Sequence, residues 1–553
     1  MTRRFRFQIA MLLATAALAP TRTDAQRGGA VAARPTTLSG AADRIFAQYN
    51  STHSPGCAVG VRQGGRDLLL RGYGMANLES GTPITPTTIL ESGSVAKQFT
   101  AAATLLLVAD GKIRLDDPVR KYIPELPEYS RPLLVNHLLS HTSGLREWSN
   151  LVALTGWPRG TRVHAMQDLL DAVVAQKSLN YPVGDFYSYT NSGFALLAII
   201  VQRVSGMSFA QFSNERIFRP LGMRDTQWRD DFTTVVPGRA QAYSPRAGAT
   251  AGWVLDMPFD GVHGPGGLLT TVADWLLWND HLNNKTLGAA VTESLTVRAT
   301  LTSGRRISYA RGITVGQFRG TNEIQHSGST GGYSTYLARY PDHHLSIAVL
   351  CNAGGAPATQ FTRQLLESVV PTLAPAPVLD TAATDSAAAG KFNGIYRSTR
   401  TSEPLIVGIG GRAMLRSARG GGWYLGNARA VAELAPSGTP RALSVIGGDA
   451  DTVVYTFAGA APWAPTPEQL GAFVGRYRSD EIGATWTVGI EGGRLVAGIR
   501  NAVRAPLTPI YQDAFTAGAG LGTVWFTRDA RGTITQMHSG SGRAWDVVFE
   551  RLR

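Results

Sequence analysis

Apolar positions recur at helical spacing in two stretches of the chain. In the first, Phe99, Ala102 and Leu106 fall on one face of a segment that opens at Gly93 and stops at Gly111, which predicts a buried helix. In the second, Phe194, Leu197, Val201 and Val204 predict another. Two short apolar runs, Gly56 to Val61 and Leu345 to Cys351, read as buried strands, and the second follows a strand ending at Tyr340 and a Pro341-Asp342 turn, the pattern of an antiparallel hairpin. Helical stretches and strands alternate from about Leu38 to Pro371. Beyond Gly390 the chain is rich in Gly, Val, Thr and Tyr, and helical periodicity nearly vanishes.

That change marks a domain boundary, and 553 residues exceed what one hydrophobic core serves. The segment between Pro371 and Gly390 is a Pro/Ala/Asp/Ser linker with little apolar material to pack. The expected layout is a domain at 38–371, a linker at 372–389 and β units at 390–460 and 466–553. A weak repeat supports the two units: Gly390-Lys-Phe-Asn-Gly-Ile-Tyr-Arg-Ser398 resembles Gly471-Ala-Phe-Val-Gly-Arg-Tyr-Arg-Ser479. One barrel built from both copies is the alternative.

The N-terminus carries Arg3, Arg4 and Arg6, an apolar run from Ile9 to Ala19, and a small-x-small pattern at Thr23-Asp24-Ala25. Residues 1–25 therefore read as a signal peptide, too short in its apolar run to span a bilayer. The expectation is an exported chain, periplasmic or extracellular, with no stable membrane span after cleavage. Losing four Arg and one Asp with the leader lowers the formal charge from +13 to +10. The excess is scattered as isolated Arg without interleaved aromatics, so nucleic-acid binding is not expected. Cys57 and Cys351 have no partners at metal-ligand spacing, and neither a metal nor a cofactor is expected. Both sit in apolar strands and read either as two buried thiols or as a disulfide permitted by an oxidising compartment.

Three polar clusters carry candidate chemistry. In Gly93-Ser94-Val95-Ala96-Lys97, Ser94 and Lys97 are three residues apart at the head of the first helix, so their side chains can touch. A serine hydroxyl needs a neighbouring base, and a lysine whose charge is disfavoured by burial can serve. The Ser94 backbone N–H at the helix start offers half of an oxyanion hole. In Tyr187-Ser188-Tyr189-Thr190-Asn191, on the loop before the second helix, Tyr189 is suited to shuttle protons as a phenolate favoured by the lysine, and Asn191 to hold a substrate carbonyl or the Lys97 amine. In His326-Ser327-Gly328-Ser329, Gly328 would admit a substrate backbone. The Ser329 N–H would complete the oxyanion hole, and His326 would orient the leaving group.

Taken in order and spacing, Ser94-x-x-Lys97, Tyr189-x-Asn191 and His326-x-Gly328 resemble the penicillin-recognising serine hydrolases, in their class C β-lactamase-like branch. Asp110 to Pro118, Leu138 to Leu145, Pro220 to Met223 and Gly266 to Thr271 also match that branch. The resemblance implies an α/β catalytic domain, with a five-stranded antiparallel sheet flanked by helices and a helical subdomain, followed by an all-β region of one or two barrel-like units. It implies catalysis by Ser94, Lys97 and Tyr189, with Lys97 or Tyr189 as acylation base, and substrate binding by Asn191, His326, Gly328 and Ser329. Where class C β-lactamases have Lys-Thr-Gly, this chain has His326-Ser327-Gly328, which replaces a permanent cation with a mostly neutral imidazole. The implied substrates are amides or esters of small peptides, with D-residues or from the cell wall, or small esters. The alternatives are a catalytically weak binding or scaffold protein and a true β-lactamase.

Overall fold

The computed structural model describes residues 37–553 apart from 249–251, 377, 383, 411, 412, 420, 501, 502, 519 and 520. The signal-peptide assignment for 1–25 lies outside the described residues.

The first domain is built on one antiparallel sheet of β1 (Cys57–Gln63), β2 (Arg66–Tyr73), β3 (Thr314–Phe318), β4 (Thr321–Thr330), β5 (Tyr333–Tyr340) and β6 (Leu345–Cys351). Their order is β3-β4-β5-β6-β1-β2. Five strands were expected; the sixth is the short edge strand β3, whose Thr314-Val315-Gly316-Gln317-Phe318 carries no continuous apolar run. The centre of the sheet is covered on both faces, which is why β6 is apolar without alternation and fully buried. One face, with Val59, Val61, Ile347 and Val349, packs against α1 (Leu38–Ile45) and α5 (Ala358–Val369). The opposite face, with Ala58, Ala348 and Leu350, meets α4 (Val272–Asn283) and the helical subdomain of α2 (Lys97–Ala109) and α3 (Asn191–Ser205).

β1 and β6 place Cys57 directly opposite Cys351, and the two form a fully buried disulfide. The reading as two free thiols is thereby corrected. Adjacent register on neighbouring strands joins residues that the sequence separates by 294 positions.

α2 is buried nearly all round, so each polar side chain on it must find a partner. Thr100 donates to the Gly264 carbonyl at 2.7 Å, and Gln98 accepts the Trp278 indole N–H at 3.0 Å. α3 starts where the Thr190 hydroxyl accepts the Ser192 N–H and ends at Gly206 in the left-handed region.

The C-terminal region forms two separate β units rather than one barrel made from both repeats. The first is a seven-stranded open sheet from β7 (Gly394–Ser398) to Thr452–Gly459. The second is a closed eight-stranded barrel running from β8 (Gly475–Ser479) to β9 (Ile534–Ser541) and β10 (Ala544–Arg551), shut by pairing of β8 with β10. The repeat has a physical basis: in each unit a short helix precedes a buried Phe, and the Tyr four residues on donates to that Phe's carbonyl at 2.8 Å, Tyr396 to Phe392 and Tyr477 to Phe473. The barrel also shares a core with the first domain. Leu151, Ala153 and Leu154 of the helix Trp148–Leu154 join the apolar cluster around Trp486, and the Trp486 indole donates to the Leu154 carbonyl at 2.8 Å.

Candidate active site

A groove of about 1150 Å³ runs along the half of β4 that extends past β3, beside the helical subdomain, lined by Ser94, Tyr189, Asn191, His326, Gly328 and Ser329 among others. All three polar clusters thus reach one cleft. A single turn of 3-10 helix, Gly93–Ala96, feeds directly into α2 and sets Ser94 at the groove wall while Lys97, one turn on, is wholly buried.

The surroundings of the Lys97 amine fix what it can do. Nζ lies 3.0 Å from Ser94 Oγ, 2.8 Å from Asn191 Oδ1 and 2.8 Å from the Pro265 carbonyl. The last two atoms can only accept. Burial holds the lysine well below its ordinary pKa; Glu147 opposes that shift and Arg543 reinforces it. A neutral amine has two hydrogens, and the two acceptors take both. Its lone pair then faces the Ser94 hydroxyl, the arrangement a base requires. Glu147, itself buried, keeps Asn191 in place: one carboxyl oxygen accepts the Asn191 backbone N–H at 2.6 Å and the other its side-chain N–H at 3.3 Å.

Tyr189 flanks the same amine, with Lys97 Nζ 4.7 Å from its ring centre. The loop that holds it is pinned by the segment Leu138 to Leu145: Ser188 N–H donates to the His141 carbonyl at 3.0 Å, Thr190 N–H to His141 Nδ1 at 3.2 Å, and the imidazole packs 4.2 Å from the Tyr189 ring. Burial drives the phenol pKa well up, more than the nearby Ser94 hydroxyl lowers it. The expected phenolate is therefore corrected to a neutral phenol. Its buried hydroxyl has no hydrogen-bond partner of good geometry among the described residues, which leaves its proton available.

His326 differs from expectation. Nδ1 lies 2.6 Å from the Ser327 carbonyl and Nε2 3.0 Å from the Tyr309 hydroxyl. Because the carbonyl can only accept, Nδ1 carries the proton and Nε2 accepts from Tyr309, so neither nitrogen is left to orient a leaving group. Burial pushes its pKa to about 3. Gly328 also serves a different need: a Cβ there would overlap the Ser92 carbonyl and the Thr335 hydroxyl and come within 3.1 Å of the Ser94 nitrogen. The glycine lets β4 press against the Ser94 turn. One built on Gly93 would lie 2.5 Å from the Ser329 nitrogen, so the Ser94 and Ser329 amides sit side by side at the groove. Four contributors escape sequence reasoning. Glu147 lies two residues past a recognisable segment, Pro265 acts through its backbone, and Tyr309 and Arg543 stand in no motif.

A pH dependence follows from His326. Folded, it binds a proton only near pH 3; unfolded, near its ordinary 6.5, so between these values the unfolded chain holds the extra proton and stability falls as pH is lowered. Comparing urea unfolding of the native chain and His326→Gln across this window should show a shallower loss in the variant, by at most about 1.4 kcal/mol per pH unit. Equal slopes would show that His326 is not held neutral.

The chain is similar to known proteins over its first domain and beyond. The family model described as Beta-lactamase matches residues 42–369. A D-aminopeptidase of Brucella anthropi is 26% identical over 526 residues, covering 90% of this chain and 96% of that protein. A penicillin-binding protein of Bacillus subtilis is 27% identical over 329 residues, 56% of this chain and 70% of the relative. Among solved structures, an octameric penicillin-binding protein homologue from Pyrococcus abyssi superposes with a TM-score of 0.55 at 22% identity, over 84% of this chain and 98% of that one. A D-amino acid amidase from Ochrobactrum anthropi superposes at 0.52 and 20% identity, over 60% and 98%.

Proposed function

The chain belongs to the Beta-lactamase family and is a serine hydrolase, and from that premise we propose that it cleaves amide or ester bonds of small peptides, with D-residues or from the cell wall, through an acyl-enzyme on Ser94. The observation that carries this reading is the Lys97 amine, whose hydrogens are committed to Asn191 and Pro265 and whose free direction is Ser94. Ser94 Oγ attacks the substrate carbonyl as Lys97 takes its proton, and the Ser94 and Ser329 amides receive the developing oxyanion. Tyr189 gives its proton to the departing amine or alkoxide and is resupplied from Lys97. Water then attacks the acyl carbon as the same pair takes its proton; the bond to Ser94 Oγ breaks, Oγ recovers that proton, and the acid is released.

The relatives favour D-residue substrates, since a D-aminopeptidase matches 90% of this chain and 96% of its own length. Export to an oxidising compartment, periplasmic or extracellular, is supported by the leader sequence and by the Cys57–Cys351 disulfide. A panel of D-amino acid amides, short p-nitrophenyl esters and nitrocefin tests the substrate class. Turnover of D-amides and esters, lost in Ser94→Ala, is the expected result. Turnover of nitrocefin alone would make the protein a β-lactamase, and no turnover or labelling at all would make it a binding protein.

A further inference from the structure

The second β unit reaches into the catalytic groove. The β9–β10 hairpin turns at Gly542 and Arg543, between the paired residues Ser541 and Ala544. It is tied down at several points. The Arg543 carbonyl accepts the Glu147 backbone N–H at 3.0 Å and the Asn180 side-chain N–H at 3.1 Å, and the Trp545 N–H donates to Asn180 Oδ1 at 2.9 Å. Behind them Arg146, almost fully buried, donates to the Asp546 carbonyl and pairs with Glu481, each at 2.5 Å. The Trp545 ring packs 5.0 Å from Tyr181.

This anchoring presents the Arg543 side chain to the reacting groups. Its guanidinium carbon lies 5.1 Å from the centre of the Tyr189 ring, and it lines the groove with Ser94 and Asn191. The groove's other cations are engaged: Arg363 pairs with Glu323 at 3.0 Å, and Arg159 donates to the Thr330 hydroxyl at 2.6 Å. Arg543 makes no side-chain hydrogen bond or ion pair among the described residues. The groove also lacks a cation at position 326, where the imidazole has both nitrogens occupied.

We propose that Arg543, supplied by the barrel, anchors the free carboxylate of a C-terminal residue that leaves the substrate as its amine. Tyr189 is the group placed to protonate that amine, and an α-carboxylate is two bonds away from it, within reach of a guanidinium lying against the Tyr189 ring. A guanidinium fork matches a carboxylate in two parallel hydrogen bonds, which a lysine does not reproduce. The favoured substrate class is then a short peptide ending in a D-residue with an ionised carboxyl group, over its amide. This deepens the hydrolase reading above and rests on it.

The test compares full-length wild type, Arg543→Ala and Arg543→Lys on acetyl-D-alanyl-D-alanine and its C-terminal amide, reading the ratio of kcat/KM for acid over amide. Wild type should favour the acid, and Arg543→Ala should lower the ratio by about 10–100-fold, the worth of a charged hydrogen-bonded contact, chiefly through KM of the acid. Arg543→Lys should retain part of the preference. The hairpin's anchoring uses the Arg543 backbone carbonyl, so truncation spares it, and matching melting curves check that. If wild type cleaves both substrates and the ratio is the same in Arg543→Ala, the anchor is refuted while the hydrolase stands. If wild type cleaves neither dipeptide, the anchor is refuted, and the hydrolase reading is decided separately by turnover of the ester and D-amide panel.

Discussion

Truncating Lys97 to alanine should slow acylation of Ser94 by about three orders of magnitude or more, with the fold retained. The size of the effect follows from the site's geometry. Among the described residues no other side chain is placed as a base for Ser94: Tyr189 is held as a phenol by burial, and Glu147 is turned toward Asn191. Lys97→Met, which fills the volume without the amine, separates chemistry from packing and should be equally slow. Stopped-flow acylation by a p-nitrophenyl ester reads the rate directly. A loss of less than tenfold in both variants would remove Lys97 from the proton transfer.

The second large effect lies on β4. Gly328→Ala should lower kcat by about 10²–10³, the range for losing one oxyanion donor. The new methyl group cannot share space with the Ser92 carbonyl and the Thr335 hydroxyl, which are themselves bonded at 2.7 Å, so β4 must move away from the Ser94 turn. That separates the Ser94 and Ser329 amides, and stability falls with activity. Rates are therefore taken at a temperature where circular dichroism shows the variant folded. A kcat within threefold of wild type in the folded variant would mean that the two amides do not act together.

What the sequence makes legible follows from how each residue acts. Ser94, Lys97, Tyr189 and Asn191 stand at fixed spacings at or just before helix starts, and the structure gathers their side chains around the Lys97 amine. The helices α2 and α3 and the strands β1 and β6 are legible because burial leaves an apolar pattern. The reading of Tyr189 as a phenolate and of His326 as free to bind goes astray because protonation and hydrogen-bond partners depend on depth and on neighbours, such as Tyr309, from other parts of the chain. Gly328 is legible as a glycine that matters; its reason, the approach of the Ser92 carbonyl, is a tertiary contact. The pairing of Cys57 with Cys351 needs strand order, which neither apolar run states. Arg543 is the extreme case, a residue in a separate barrel whose place in the groove depends on how two domains dock through Glu147, Asn180 and Arg146.

Whether substrate carbon becomes bonded to Ser94 is the point on which the chemistry rests. Rapid quenching during turnover of an N-acetyl-D-alanyl ester, followed by intact-protein and peptide mass spectrometry, measures it. The expected result is one acyl adduct per chain, located on the peptide containing Ser94, formed and lost at rates consistent with turnover and absent in Ser94→Ala. An adduct on another residue, or undiminished turnover by Ser94→Ala, would contradict it.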